Sequence, residues 1–151
     1  MKRSFFVAGV PATKGSTKSF RSSNSRRIVT KSDNPRTKSW QRTVGLAARA
    51  AGCRPADGPI KVSMEFRLQR PLSHRGTGRN ASTIRPGAPR AHTSKPDADK
   101  LIRAVLDGLT RVAWEDDAQV VEIAARKTYA NSSVELGVQI TLEAIGEEQA
   151  A

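Results

Sequence analysis

The chain has 151 residues, with 26 Lys and Arg against 14 Asp and Glu and a formal charge of +12 at pH 7. One hydrophobic core typically organises about 100–200 residues, so a single domain over 1–151 is expected. The charge calls for a polyanionic partner, with nucleic acid first. An anionic membrane surface could use the same charge, but no stretch approaches the ~20 apolar residues of a span, and the two best helical patterns mix signs where a surface-bound helix would carry a basic face.

The opening Phe5-Phe6-Val7-Ala8-Gly9-Val10 is too short for a secretory core and runs straight into Pro11 and Lys14, so it reads as a first strand. A cytoplasmic location is the expectation. From Pro11 to Arg36 a loop carries Lys14, Lys18, Arg21, Arg26, Arg27, Lys31 and Arg36 among Ser and Thr, with Asp33 as its only acid. Thr37 to Ala51 is helical in spacing, with Trp40, Val44, Ala47, Ala48 and Ala51 on one face. Cys53 has no partner in the chain and no nucleophile-type neighbours, which makes it a small semi-buried residue.

Ile60 to Leu68 alternates strictly: Ile60, Val62, Met64, Phe66 and Leu68 against Lys61, Ser63, Glu65 and Arg67, a strand with one buried face. A second basic loop, Pro71 to Lys95, holds Arg75, Arg79, Arg85, Arg90 and Lys95 and no acid. Loops of this length inside a domain are functional or disordered, and the scarcity of acids favours contact with a DNA backbone. His74 and His92, without metal spacing, read as exposed polar residues.

From about Asp97 to Thr110, residues Ala98, Leu101, Ile102, Val105 and Leu109 follow a helical seam, with Asp99, Arg103 and Asp107 along another face. Gln119 to Tyr129 reads as a strand. It is joined through a turn at Asn131-Ser132 to a second alternating strand, Val134 to Leu142, and the pair is expected as an antiparallel hairpin. Trp40 and Trp114 fall on patterned positions and read as core.

The chemistry concentrates in Pro96-Asp97-Ala98-Asp99-Lys100-Leu101 and Trp114-Glu115-Asp116-Asp117-Ala118-Gln119-Val120, carboxylates clustered in a basic chain. Hard oxygen ligands suit magnesium, and phosphodiester cleavage needs a cation to orient water and neutralise charge on the phosphate. Asp97 and Asp99 sit at a helix start, where the dipole favours carboxylates. A short connection is expected to return Asp117 to that same end. The alternative stays open: Asp97 is also a good N-cap, and Asp116-Asp117 an ordinary turn. Asp107 fits a structural acid paired with Arg103 or Arg111.

These segments, with Asp107-Gly108-Leu109 between them, resemble the RusA-type Holliday junction resolvases, whose pattern is Asp-x-Asp-Asn-Leu, a helix with Asp-Ala/Gly-Leu, then Trp-x-Asp-Asp-x-Gln-Val. Gly9-Val10-Pro11-Ala12-Thr13-Lys14-Gly15 resembles a common opening of that family. The resemblance implies an α/β (α+β) single domain, with a mixed sheet of about four strands packed by two main helices, and a homodimer. It also implies paired cleavage of four-way junctions in recombination and repair, with magnesium (or manganese in its place) and no small-molecule cofactor. Carried over by position, the metal-binding and catalytic acids are Asp97, Asp99 and Asp117. Arg103, carried over as a catalytic residue, stands where the family commonly has a functionally important Lys, Lys100 stands where it has Asn, and Asp116 is the adjacent alternative to Asp117 or a supporting acid. Lys100 joins the loop cations as a DNA contact. Family members often sit in phage genomes. Two other readings remain: a noncatalytic basic DNA-binding accessory protein, and a nuclease for flaps or other branched DNA.

Overall fold

The computed structural model describes residues 1–15, 17–21, 23, 26, 28–32 and 34–150, with backbone alone at 17–20, 29–32 and 150. Its main elements are β1 (Lys2–Ala8), β2 (Thr17–Arg21), β3 (Ile28–Ser32), α1 (Thr37–Ala50), β4 (Ile60–Leu68), α2 (Ala98–Leu109), β5 (Val120–Tyr129), β6 (Gly137–Ala144) and a final turn of helix, α3 (Glu147–Ala150). No helix among the described residues is long and apolar enough to cross a membrane.

The strict alternation of β4 decides its place. Its five apolar side chains are all buried and its polar ones half-buried, a pattern suited to the middle of a sheet covered on one face. The four-stranded sheet runs β1-β6-β4-β5, with β6 antiparallel to both β1 and β4 and β5 parallel to β4. The expected hairpin between the last two strands is therefore corrected: β4 lies between them, and β5, exposed from Val121 to Arg126, takes the edge. Burial phase in β6 holds for Val138, Ile140 and Leu142, whereas Val134 lies outside it and is 81% exposed.

Helices α1 and α2 pack against each other and cover the buried face, α1 on the β1 side and α2 on the β5 side. Their contact is close at Gly108, where a Cβ would meet the Gln41 carbonyl oxygen at 2.8 Å and Val44 at 3.1 Å. Trp40, Val44 and Ala48 from α1 join Leu101, Ala104, Val105 and Leu109 from α2 in the core, with Trp114 fully buried beneath them. Cys53 is buried, and burial pushes its thiol pKa up despite the Arg3 charge.

The basic segment after β1 is not all loop: β2 and β3 pair antiparallel as a separate hairpin. In the sequence, Lys, Ser and Thr alternate irregularly with Phe20, Ile28 and Val29, so no period-two apolar pattern marks these strands. The second basic segment is braced locally. The 3-10 turn Leu72–His74 precedes a bridge between Arg75 and Ile84, and a second, Gly78–Asn80, lies inside the loop that the bridge closes.

Because β4 and β5 are parallel, the chain must cross back between them, and α2 is that crossover. It starts beside the C-terminal end of β5, where Lys127 Nζ donates to the Ser94 and Pro96 carbonyls at 2.8 and 2.9 Å. It ends beside the start of β4 and β5, where Trp114 pairs with both Ala56 and Thr110.

Candidate active site

The direction of α2 separates the aspartates. At its N-terminal end Asp97 occupies the N-cap with extended backbone (φ −73°, ψ 139°), yet its side chain makes no capping bond. Its carboxylate is met only by Lys100 Nζ at 3.5 Å, both side chains being almost half exposed. Asp99, in the first turn, is exposed and has no hydrogen bond or ion pair among the described residues. One helical turn on, Arg103 is exposed and equally unengaged.

At the other end Asp117 is held tightly. Its Oδ1 accepts from the indole Nε1 of buried Trp114 at 2.8 Å and from the Thr110 hydroxyl at 2.6 Å. Asp116 is the true cap of the turn Asp117–Gln119: its carboxylate accepts from Ala118 N at 2.8 Å. Gln119 Oε1 reaches back to the backbone N–H groups of Glu115 and Asp116. Gln119 Nε2 donates to the Ala56 and Gly58 carbonyls, fixing this turn to the entry of β4. The Trp-Glu-Asp-Asp-Ala-Gln spacing thus aims Asp117 and spends Asp116.

The expected return of Asp117 to the start of α2 is corrected. Tied to Thr110, it lies about 20 Å from Asp97, at ~1.5 Å of rise per helical residue between those positions. Among the described residues no three His, Cys, Asp or Glu side chains gather closely enough to hold a metal ion. Within one chain the three aspartates do not fit round a single ion. Asp97 and Asp99 still meet what magnesium asks at minimum, one or two carboxylates with water completing the shell.

Asp107 is structural, but its partner is Lys14, not Arg103 or Arg111. The two form an ion pair, joined by Gln41 Nε2 at 3.3 Å, and Lys14 N donates to the Lys100 carbonyl at 3.1 Å. The Lys14 ammonium is thereby engaged within the chain, and that of Lys100 faces Asp97 at 3.5 Å. Arg79, Arg85, Arg90 and Lys95 are exposed cations without partners among the described residues, while Arg75 donates to the Ser82 carbonyl at 3.1 Å. Arg21 and Arg26 are exposed beside the β2–β3 hairpin. Arg27 and the side chains of Lys18 and Lys31 lie outside the described residues.

The histidines differ from their expected role. His92 is 8% exposed, packs on the Tyr129 ring at 4.8 Å, and leaves Nδ1 without a partner among the described residues. Burial holds its pKa below the usual value, and the Lys127 charge lowers it further. His74 meets the edge of the same ring at 5.6 Å, and the Arg70 guanidinium covers it at 4.1 Å. This aromatic post pins the second basic segment to the end of β5. Sequence reading missed Lys127, whose only trace is the basic pair Arg126-Lys127 inside a strand.

Residues 9–142 match the family described as Endodeoxyribonuclease RusA. The chain belongs to the RusA endodeoxyribonuclease family. It is also 30% identical over 73 residues to the uncharacterized protein YqaN of Bacillus subtilis (strain 168). That match takes in 48% of this chain and 51% of the relative, so the chain spans about half the length of the curated relative it matches.

Proposed function

We propose that this chain is an endodeoxyribonuclease that cuts Holliday junctions or related branched DNA in recombination and repair, works as a homodimer, and requires magnesium, which manganese can replace. The observation that carries this reading is the state of Asp97 and Asp99: a cap position whose carboxylate does not cap and meets only Lys100 at 3.5 Å, near a carboxylate with no partner among the described residues, in a chain of charge +12. A noncatalytic DNA-binding protein would need these acids as helix caps, since uncompensated carboxylates repel phosphate.

Magnesium supplies neutralisation of charge developing on the phosphate. The chain's own residues do the rest. The exposed cations of Arg79, Arg85, Arg90 and Lys95 grip the backbone on the side of the α2 N-terminus, and Arg103 offers a planar guanidinium one turn from Asp99 for the phosphate oxygens. A dimer matches the approximate two-fold symmetry of a four-way junction.

The experiment is cleavage of a synthetic four-way junction beside linear duplex, with magnesium and with chelator. Wild type cuts the junction only with the cation, and Asp99→Asn binds it with cleavage reduced to background. Junction binding with no cation-dependent cleavage by wild type would establish the accessory reading.

A further inference from the structure

We propose that Lys127 is a positioning residue for the carboxylates of Asp97 and Asp99: its ammonium, carried on the sheet, holds the backbone that leads into α2. The inference rests on the nuclease reading for the purpose of those carboxylates, and three observations carry it.

The first is how little holds the two side chains themselves. Asp97 makes no capping bond and meets Lys100 at 3.5 Å, and Asp99 has no partner among the described residues. Carboxylates with so few bonds of their own are placed by their backbone. A shift at Asp97 also passes into the first turn of α2, whose opening bond runs from Leu101 N to the Asp97 carbonyl at 3.1 Å.

The second is what holds that backbone. Lys127 Nζ donates to the Ser94 carbonyl at 2.8 Å and to the Pro96 carbonyl at 2.9 Å, and the Pro96 carbonyl belongs to the peptide that enters Asp97. Two charge-assisted bonds to carbonyls two residues apart set both the position and the direction of the stretch. Lys127 is itself fixed, since it is half-buried and stands opposite Phe66 in the parallel register of β4 and β5. Residues 127 and 129 share one face of β5, and Tyr129 receives the His92 ring at 4.8 Å. Residues 92, 94 and 96 are thus tied to neighbouring positions on a single strand.

The third is the sign of the charge. An ammonium beside carboxylates that hold a divalent cation repels that cation. A lysine in the service of DNA alone would leave its donors to phosphate, whereas Lys127 commits two of its three N–H groups to the chain. Its repulsion and its alignment act on metal binding in opposite directions. Removing a bystander charge tightens the metal, and removing a brace loosens it.

The test titrates Mn2+ into full chains by calorimetry and electron paramagnetic resonance, at a temperature where circular dichroism shows each variant folded. Lys127→Met should weaken Mn2+ binding by roughly 10–100-fold, the usual cost of losing a group that orients ligands. Should that variant fail to fold, Lys127→Gln, whose amide is too short to reach both carbonyls, takes its place with the same expected loss. Leu142→Ala, a core truncation in β6 opposite Val62, lowers stability without touching α2 and should keep wild-type Mn2+ affinity. Junction affinity and its salt slope should stay at wild type in Lys127→Met while the cleavage rate of the bound junction falls, the reverse of a phosphate contact. Unchanged or tighter Mn2+ binding by Lys127→Met overturns the proposal, as does an equal loss in Leu142→Ala or a wild type that binds no Mn2+. A wild type that binds Mn2+, weakens in Lys127→Met and leaves every branched DNA uncut upholds the positioning role and contradicts the nuclease reading. An active wild type whose Lys127→Met variant matches it in Mn2+ affinity and cleavage rate does the opposite.

Discussion

At the N-terminal end of α2 two aspartates stand almost free, with Lys100 at 3.5 Å as the one ionic contact of Asp97. At the C-terminal end Asp117 is fixed by a buried indole and a hydroxyl, and Asp116 is consumed by a capping box. The same side chain thus meets opposite conditions on one helix. A carboxylate aimed by two donors while its second oxygen stays open is a preorganised ligand, and a free carboxylate at a positive helix terminus is an available one.

Beyond the loss of cleavage in Asp99→Asn, the largest expected effect comes from the fixed end. Trp114→Phe removes the Nε1 donor to Asp117 while filling most of the buried volume, and should lower cleavage and Mn2+ affinity by roughly 10–100-fold, the usual cost of losing a group that orients a ligand. Wild-type Mn2+ affinity in that variant would mean that the indole does not aim Asp117. Next, Gly108→Ala drives a methyl against the Gln41 carbonyl and Val44, and should destabilise by about 1–3 kcal/mol in chemical denaturation, since overpacking between close helices forces one to shift.

At the free end Lys127→Met deletes two charged hydrogen bonds to the Ser94 and Pro96 carbonyls. A cost of about 1–2 kcal/mol is expected, reduced by solvent at this partly exposed site. Unchanged stability would show that the chain holds the start of α2 without that brace. The smallest effect is the pH response of His92. Its pKa lies below the ordinary 6.5 in the fold, so the unfolded chain binds the proton more readily. Stability is therefore full above about pH 6.5 and falls as pH drops through the folded value. His92→Phe should flatten that fall, as read from denaturation midpoints across pH 5–7.5.

Much of this was legible from residue order, for definable reasons. The β4 alternation and the seam Leu101, Val105, Leu109 are periodic burial signals, and the structure places both in the core. Asp97 as the residue before α2 follows from the Pro96-Asp97 helix-start signal, although its side chain makes no cap, and Trp40 and Trp114 as core residues follow from their patterned positions. What stayed hidden is non-local. Nothing in β5 and β6 says that β4 lies between them, because adjacency in sequence favours a hairpin and only competition for the buried slot forbids it. The same crossover sends Asp117 to the far end of α2. The segments that form β2 and β3 show no apolar alternation in the sequence, His92 is buried by Tyr129 far along the chain, and Lys127 meets Ser94 only after the sheet forms.

The account turns on whether the uncapped carboxylates at the start of α2 serve cleavage, and four-way junction cleavage by wild type and Asp99→Asn, with magnesium and with chelator, reads this most directly. Wild type should cut the junction in magnesium and leave it intact with chelator, while Asp99→Asn binds the junction and leaves it uncut in both. Cleavage by Asp99→Asn at the wild-type rate, or wild-type cleavage undiminished by chelator, would contradict it.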